Sequence, residues 1–238
     1  MAEPEVTAII PVFNDHRSLE IAIPRSIELL SRITNGFELV IAEDGSTDGS
    51  AELVRNYEQQ DPRIHLLHSD ERLGRGKALT RAINNSNGKI VCYYDVDLAT
   101  DMQHLSELIG AIRAGADIST GSRLMPGSDI VRTEGREIAS RSYNFLVRLF
   151  LGSRCYDHQC GFKAFNKEYI LNVLPAIQSN HWFWDTELLV RSQRNGCRLV
   201  EFPVRWRAGK GTTVKMKDVF EMGSSILMLW WQIHVSKD

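Results

Sequence analysis

The sequence predicts an α/β fold built on a mostly parallel, twisted sheet that is flanked by helices. Apolar segments rich in β-branched residues alternate with segments whose apolar positions recur at helical spacing, a pattern typical of parallel sheets. A hydrophobic content of 43% in 238 residues is enough for a full core, and one large domain is expected at this length. The predicted strands are VTAII, FELVIA, IHLLH and KIVCYY, which begin at residues 6, 37, 64 and 89.

Helices are predicted between these strands. The first two cover residues 16 to 34 and 48 to 59, and Gly36 is a stop signal after the first of them. After the fourth strand, Thr100 and Gln103 have the spacing of a capping box, which predicts that a helix begins there. That helix continues as an apolar stripe of four residues, Leu105, Leu108, Ile109 and Ile112.

A second region begins near residue 123, where the simple alternation ends in a polar loop that carries several arginines. An amphipathic helix is predicted over IASRSYNFLVRLFL. The later predicted elements are a strand, a helix, a strand and a terminal apolar helix. The first three lie in YDHQCGFKAF, FWDTELLVRSQRNG and RLVEFPVRW.

Composition limits the classes of partner. A formal net charge of −2 provides no bulk attraction to nucleic acid, and no nucleic-acid partner is expected. The first residues are acidic and lack the basic and apolar regions of a signal peptide, so the expected location is cytoplasmic. Four cysteines show no CxxC pairing and are expected to be free thiols, namely Cys92, Cys155, Cys160 and Cys197.

Two aspartates directly follow the fourth predicted strand, in the segment VCYYDVDLATD. Asp95 and Asp97 thus lie between the carboxyl end of a strand and the start of a helix, where open α/β sheets usually bind ligands. Carboxylates at this spacing on a turn can face one cation, and Mg²⁺ or Mn²⁺ prefers oxygen ligands. Alternatively, Asp95 is a turn residue and Asp97 is solvated. The spacing alone leaves both interpretations open.

The second predicted strand also ends on acidic residues, Glu43 and Asp44. A carboxylate there is suited to accept hydrogen bonds from a base edge or a ribose hydroxyl. Helix capping by Ser46, Thr47 or Asp48 is the alternative for this loop. The later segment RLGRGKA fits neither a Walker loop nor a dinucleotide fingerprint. Its backbone amides and its cations, Arg75 and Lys77, are nevertheless suited to contact a nucleotide at a helix N-terminus.

Several motifs in order resemble a known family. AIIPVFND, AEDGSTD, RLGRGKALTRAI and YYDVDLATD resemble the nucleotide-sugar half of family 2 glycosyltransferases with the GT-A fold. TGSRLMPGS, YDHQCGFKAF and WFWDTELL resemble polyprenyl-phosphate hexosyltransferases, especially dolichyl-phosphate β-glucosyltransferases and dolichol-phosphate mannose synthases. The resemblance implies a GT-A catalytic domain over residues 1–217 and a C-terminal amphipathic helix over 218–238. Within that domain, residues 1–122 form the nucleotide-sugar half and residues 123–217 the acceptor half.

The resemblance also implies roles for individual residues. Asp95 and Asp97 match the metal-binding DxD of the family, where Mg²⁺ or Mn²⁺ neutralises the nucleotide diphosphate as it leaves the sugar. The nucleotide sugar is expected at Pro11, Phe13, Asp15, Glu43, Asp44, Lys77 and Asp95. The acceptor phosphate is expected at Arg123, Arg136 and Ser140, and the reacting centre at Asp97, Arg123, Gln159 and Asp185.

Supporting roles are expected for three further residues, Asp157, Lys163 and Glu187. A solvated helix face is the alternative for one of Arg136 and Arg141.

The donor expectation depends on one departure from the family pattern. Mannose synthases usually have Gln two residues after the second aspartate, and this chain has Ala99. The resemblance therefore favours UDP-glucose over GDP-mannose as the nucleotide diphosphate sugar.

The expected activity is that of an inverting, metal-dependent hexosyltransferase whose acceptor is a polyprenyl or dolichyl phosphate. That acceptor is already an anion, so it needs no strong general base. One alternative is transfer to a hydroxyl of a glycan or small molecule, which needs a base such as Asp185 or Glu187. Another is a nucleotide-sugar binding module without turnover.

The terminal segment VFEMGSSILMLWWQIHV is too short in its uncharged part to cross a bilayer, which takes about 20 apolar residues. Its apolar residues are expected in the membrane interface, with nearby lysines drawn to anionic headgroups on the cytosolic face. Packing of this helix on the catalytic domain or on another subunit is the alternative. The residues concerned are Phe220, Leu227, Trp230 and Trp231, with Lys210, Lys215 and Lys217.

Overall fold

A seven-stranded sheet forms the centre of the computed structural model, which describes residues 3–207 and 216–235, with side chains described for 3–207 and 221–235. Its strand order is β3-β2-β1-β4-β7-β5-β8, and only β7 runs antiparallel to its neighbours. The mostly parallel sheet predicted from sequence is thereby confirmed. These strands are β1 Val6–Val12, β2 Phe37–Glu43, β3 Ile64–Leu67, β4 Ile90–Tyr94, β5 Ile118–Ser122, β7 Phe162–Asn166 and β8 Leu199–Pro203.

Helices cover both faces of the sheet, and a short parallel pair of strands lies apart from it. The pair consists of β6, Asp129–Val131, and β9, Arg205–Arg207. The helices are α1 His16–Ile33, α2 Ser50–Gln60, α3 Arg75–Asn84, α4 Leu105–Arg113, α5 Glu134–Leu151, α6 Lys167–Val173, α7 Trp184–Arg194 and α8 Met216–His234.

Consecutive side chains of β1 point alternately into the two layers of the core, one on each face of the sheet. Ala8 and Ile10 point to the cluster that includes residues of α1 and α4, whereas Ile9 points to the cluster that includes residues of α3 and α7. All three are fully buried. A strand that is apolar on both faces is expected in a sheet covered by helices on both sides.

The two halves of the chain share this one sheet. Strand β7 comes from the second half and inserts between β4 and β5 of the first half, antiparallel to both. Only the end of YDHQCGFKAF is strand, because residues 156–161 form the loop that leads into β7. This loop therefore approaches the carboxyl end of β4, where Asp95 lies.

Two predicted helix boundaries differ from the structure. Helix α1 ends at Ile33, three residues before Gly36, and Thr34 caps it in an extended conformation. The capping box at Thr100 is wrong: Asp101 caps the 3₁₀ turn that precedes α4, and its side chain accepts from the Gln103 amide. Thr100 instead forms an isolated antiparallel bridge with Trp206, the middle residue of β9.

The C-terminal helix α8 packs on α5 and α7. Its inner residues Ile226 and Leu229 join a small cluster with Val147 of α5 and Val190 of α7. The packing alternative for this helix is confirmed to that extent. Among residues 3–207 and 216–235, no helix has both the length and the apolar character needed to cross a bilayer.

Candidate active site

A cavity of about 230 Å³ lies at the carboxyl ends of β1, β2 and β4. This is the edge at which parallel α/β sheets place their ligands, because the loops after adjacent strands meet there. Six residues predicted to form the site line this cavity, namely Pro11, Phe13, Asp15, Asp44, Asp95 and Asp97. The cavity is also lined by Val12, Arg72, Arg75, Ala78, Val96 and Trp182.

Asp44, at the end of β2, holds the loop that leads into α3. Its carboxylate accepts hydrogen bonds from the backbone amides of Leu73 at 2.7 Å and Gly74 at 3.0 Å. The neighbouring Gly45 has a φ of 78°, and a Cβ there would lie 2.8 Å from the carbonyl carbon of Glu71. Glycine is needed at this close approach, which lets two distant loops meet beside the cavity.

Glu43 precedes Asp44 but does not line the cavity. Its side chain is buried, accepts from the Ser46 amide, and pairs with Nδ1 of His68. The carboxylate is therefore occupied by protein groups on the far side of the strand end. The sequence predicts that Glu43 and Asp44 both contact the nucleotide sugar. Side chains of consecutive strand residues point to opposite sides, so only Asp44 of the two lines the cavity.

Asp95, at the end of β4, is held against the loop before β7. Its amide donates to the carbonyl of Gly161 at 3.1 Å. A Cβ on Gly161 would lie 2.0 Å from Oδ2 of Asp95, so only glycine leaves room for the carboxylate. The glycine of HQCGFK thus positions an aspartate that lies far from it in sequence.

Asp97 is exposed on the cavity wall, and its carboxylate accepts from the Ala99 amide at 3.0 Å. Partial burial raises its pKa, and the negative charges of Asp95 and Asp15 raise it further. Leu98, which follows Asp97, has a φ of 49°, a left-handed conformation that is rare for a branched residue. Like charges and a strained turn are thus concentrated at one place in the cavity.

Arg75 connects two carboxylates across the site. Its Nη2 donates to Oδ1 of Asp95 and its Nη1 to Oδ2 of Asp185, both at 2.8 Å. Asp185 also accepts from the Tyr93 hydroxyl and lies 3.2 Å from Nζ of the fully buried Lys163. A run of alternating charges therefore extends from the buried Lys163 and Asp185 through Arg75 to the partly exposed Asp95.

This arrangement determines the ionisation of Asp185. Burial alone would raise its pKa, but the charges of Lys163 and Arg75 and the hydrogen bond from Tyr93 hold the pKa below its ordinary value. Glu187, two residues further along α7, accepts from Arg191 at 2.8 Å and from the Ser179 amide at 2.9 Å. Both carboxylates are therefore occupied by hydrogen-bond donors, and the lowered pKa of Asp185 makes it a weak general base.

Arg123 is bound to Asp157 by two parallel hydrogen bonds, of 2.7 Å from Nε and 2.9 Å from Nη2. Asp157 is fully buried, which by itself would raise its pKa, but Arg123 lowers that pKa to about 2. The guanidinium also lies 5.7 Å from the ring centroid of Trp206. Among the residues that the structure describes, Nη1 of Arg123 has no hydrogen-bond partner.

The remaining predicted site residues lie outside the cavity wall. Arg136 is exposed on α5, and the half-buried Ser140 follows it one turn later. Lys77 is exposed on α3, and its amide donates to the carbonyl of Asn180 at 3.1 Å. Gln159 donates from Nε2 to Sδ of Met222 at 2.9 Å and so links the β7 loop to α8.

Two side chains of the cavity were missed in the sequence. Arg72 stacks on the Phe13 ring at 4.0 Å from its centroid, and Trp182 lies 5.8 Å from the guanidinium carbon of Arg75. Both belong to segments that carry the family resemblance, but neither has a spacing that indicates a ligand contact. The sequence predicts that Arg75 contacts a nucleotide, but it gives no sign that Arg75 pairs with Asp95 and Asp185.

A metal ion has two candidate protein ligands here. Within residues 3–207 and 216–235, no group of three or more His, Cys, Asp or Glu side chains is arranged to hold a metal. Asp95 and Asp97 alone fit Mg²⁺, which is commonly held by one or two carboxylates together with substrate phosphates and water. The raised pKa of Asp97, which is caused by burial and then by the charges of Asp95 and Asp15, supports this fit, because a nearby cation would relieve the part that is due to repulsion.

Comparisons with known proteins agree with this geometry. Glucosyl-3-phosphoglycerate synthase from Mycobacterium tuberculosis, solved in complex with UDP, superposes with a TM-score of 0.67 at 18% identity, over 96% of this chain and 79% of that chain. A complex of the same enzyme with Mn²⁺, UDP and glucosyl-3-phosphoglycerate gives a TM-score of 0.64. At this identity the likeness concerns the fold alone, and it confirms the predicted GT-A arrangement.

Sequence relatives are more informative. AglD, a glycosyltransferase of Haloferax volcanii, is 46% identical over 235 residues, which are 97% of this chain but only 38% of that protein. A dolichyl-phosphate β-glucosyltransferase of Dictyostelium discoideum is 28% identical over 96% of this chain and 76% of its own length. A polyprenol monophosphomannose synthase of Mycolicibacterium smegmatis is 27% identical over 82% of this chain and 75% of its own length. The family model for glycosyl transferase family 2 matches residues 7–174, and the chain therefore belongs to that family.

Proposed function

We propose that this chain is an inverting hexosyltransferase that moves a hexose from a nucleotide diphosphate sugar to a polyprenyl or dolichyl phosphate. The observation that carries the proposal is the occupation of both candidate bases, Asp185 and Glu187, by strong hydrogen-bond donors. A hydroxyl acceptor needs such a base, whereas a phosphate monoester is already an anion near neutral pH. The names of the relatives from Dictyostelium and Mycolicibacterium point to the same class of acceptor.

The donor is assigned to the cavity at the ends of β1, β2 and β4. Pro11, Phe13, Asp15 and Asp44 line it on the side of β1 and β2, where the base and ribose are placed by the family resemblance. UDP-glucose is the proposed donor, ahead of GDP-mannose, because Ala99 stands where mannose synthases usually have Gln. In isothermal titration with Mn²⁺ present, UDP should bind more tightly than GDP. The reverse order would overturn the choice of donor but not the class of reaction.

Asp95 and Asp97 are the proposed ligands of Mg²⁺ or Mn²⁺. When bound, the ion supplies positive charge that stabilises the departing diphosphate. The protein's own contribution is to hold the two carboxylates at the strand end. Gly161 sets the place of Asp95, and the tight turn at Leu98 sets that of Asp97.

Arg123, Arg136 and Ser140 are the proposed contacts of the acceptor phosphate. Arg123 is oriented by Asp157 and retains a nitrogen without a partner in the described structure, which suits it to bind an oxyanion. Arg136 and Ser140 lie on one face of α5, one helical turn apart. Gln159, in the same loop as Asp157, is proposed to contact the sugar.

The proposed location is peripheral, on the cytosolic face of a membrane that holds the lipid acceptor. The outer sides of α5 and α8 expose large apolar residues, among them Phe145, Leu149, Leu227 and Trp231, each more than half exposed. Such a surface is suited to the membrane interface. Lys210 and Lys215 lie outside the described residues, and no side chain is described for Lys217 or Phe220.

The reaction is tested by incubating the protein with radiolabelled UDP-glucose or GDP-mannose and a polyprenyl phosphate, followed by extraction into organic solvent. Label should enter the organic phase with UDP-glucose and should fail to do so in Asp97→Asn. Asp70→Asn is the matched control, since Asp70 is a fully exposed carboxylate outside the cavity. Label transferred only to water-soluble glycans would contradict the proposal, and nucleotide binding without any transfer would indicate a binding module.

The membrane location has a separate test. Full-length protein should pellet with anionic vesicles, and a chain truncated after Lys217 should remain in the supernatant. Equal pelleting of both proteins would show that α8 is not the anchor.

A further inference from the structure

Arg75 lies between the two carboxylates that it connects, Asp95 at the cavity wall and the buried Asp185. It is the first residue of α3, directly after Gly74, and only 15% of its side chain is exposed. Each of its two terminal nitrogens is committed to a different carboxylate, Asp95 or Asp185, at 2.8 Å. It also lines the donor cavity, so the same guanidinium faces the space assigned to the nucleotide sugar.

The two carboxylates hold Arg75 unequally. Asp185 is 4% exposed in its side chain and is fixed by Tyr93 and Lys163 as well as by Arg75. Asp95 is 45% exposed in its side chain, and Arg75 is the only side chain among the described residues that donates to it. Because water and solutes reach Asp95 and not Asp185, the contact with Asp95 is the one that a ligand can replace.

The contact with Asp95 also conflicts with metal binding. Oδ1 of Asp95 is already paired with a guanidinium, while Asp97 accepts from the Ala99 amide and from no side chain within the described part of the chain. A divalent cation placed on the same carboxylate repels Arg75, and in a partly buried site this repulsion is poorly screened. The two cations therefore compete for the charge of one carboxylate in the absence of further anions.

We infer that Arg75 is an internal cation of the donor site, which pairs with Asp95 before the nucleotide sugar binds and with a diphosphate oxygen afterwards. Asp185 remains its anchor in both states. The inference depends on the proposed function, since it assigns a diphosphate to this cavity. Nη2, once released from Asp95, has a free N–H that faces the cavity, and guanidinium groups bind phosphate oxygens well. Mannose synthases usually have Gln at the position of Ala99, and the resemblance implies that this Gln is a third side-chain ligand of the metal. This chain lacks that ligand, and Arg75 adds positive charge to the same site.

The test is a pair of binding measurements on Arg75→Met that are expected to change in opposite directions. Mn²⁺ should bind the nucleotide-free variant more tightly than wild type, by about threefold or more, because a competing cation has been removed. UDP without metal should bind more weakly, by roughly 10-fold, because a charge-assisted hydrogen bond has been lost. Isothermal titration gives both constants without any measurement of transfer. A role in folding alone would weaken both.

Arg72→Met is the matched control. Arg72 lines the same cavity, but its guanidinium stacks on Phe13 and pairs with no carboxylate in the described structure. Its removal should leave the affinity for Mn²⁺ within about twofold of wild type, because it does not compete for Asp95. Circular dichroism of each variant checks that the fold is retained.

The outcomes separate the two proposals. Wild-type protein that binds neither Mn²⁺ nor UDP would overturn the proposed function and this inference together. Wild-type protein that binds both, with Arg75→Met equal to or weaker than wild type for Mn²⁺, would overturn only the inference. If Arg75→Met does not fold, the same two constants are measured on Arg75→Lys. A lysine ammonium can stay paired with Asp185, but it cannot also donate to Asp95 as the second nitrogen of Arg75 does. The constants of Arg75→Lys should change in the same directions, and constants equal to those of wild type would overturn the inference.

Discussion

Strands β2 and β4, which flank β1 in the sheet, both end on acidic residues, and the two ends are used differently. After β2, Glu43 and Asp44 are both nearly buried, and they accept from Ser46, His68, Leu73 and Gly74. After β4, Asp95 and Asp97 are more exposed, and the second of them accepts from the backbone amide of Ala99.

The two pairs of carboxylates have different roles. The buried pair after β2 stabilises the loops around the site, whereas the more exposed pair after β4 is accessible to a ligand. Buried carboxylates must be satisfied by the protein itself, since burial without partners is costly. Those after β2 therefore fasten loops. The carboxylates after β4 repel each other and Asp15, and burial adds to this repulsion in raising the pKa of Asp97. Substitutions at the two ends should consequently separate activity from stability.

The largest effect is expected from Asp97→Asn or Asp95→Ala. Either change should lower hexose transfer by roughly 100-fold or more, because preorganised charge at a developing anion commonly contributes that much. Far-UV circular dichroism should remain native. EDTA should abolish the wild-type activity in the same extraction assay, and Mn²⁺ should restore it. Near-normal transfer in EDTA would contradict the assignment of this strand end.

Gly161→Ala tests whether the place of Asp95 matters as well as its charge. The added Cβ would fall 2.0 Å from Oδ2 of Asp95, so the carboxylate must move. We expect kcat/KM to fall by tens of fold, since a displacement of about 1 Å can cost up to 100-fold.

Gly110→Ala is its control. No atom lies within 4 Å of a Cβ at Gly110, a position inside α4. This variant should keep full activity and gain up to about 1 kcal/mol in the free energy of unfolding. Equal activity of the two alanine variants would show that the Asp95 position is not critical.

Asp44→Asn should show the opposite balance at the other strand end. The amide group cannot accept from both Leu73 and Gly74, so one buried N–H loses its partner. The free energy of unfolding, measured in urea, should fall by about 1–3 kcal/mol. The KM for the nucleotide sugar should rise by about 10-fold because the loop also lines the cavity. An unchanged urea midpoint would mean that Asp44 does not fasten this loop.

The smallest effect concerns pH and stability without metal. A raised pKa of Asp97 in the folded state means that the folded protein holds its proton more tightly than the unfolded chain does. Stability is then lost as pH rises from the ordinary value of 3.8 through the raised pKa, and it is regained as pH falls through that window. Asp97→Asn should therefore melt higher than wild type at neutral pH in EDTA, by about 1–2 °C. The gap should close at acidic pH, and a gap that is independent of pH would contradict this explanation.

The fold and much of the donor site could be predicted from local patterns. The strands β1 to β4 follow β-branched apolar segments, and Asp44, Asp95 and Asp97 lie at their ends as expected. Caps were less predictable, because Thr100 and Asp101 both have side chains that cap helices and only one is in place.

The amino-acid sequence by itself determined the strands β1 to β4 and the acidic ends of β2 and β4, because periodicity and turn residues act over a few positions. It did not reveal β5, Ile118–Ser122, which lies between β7 and β8 in the sheet. Tertiary structure alone decided what each charge does. His68 pairs with Glu43 from 25 residues away, and Arg75 reaches Asp185 across 110 residues. A buried charge takes the nearest strong partner, and the folded chain determines which partner that is.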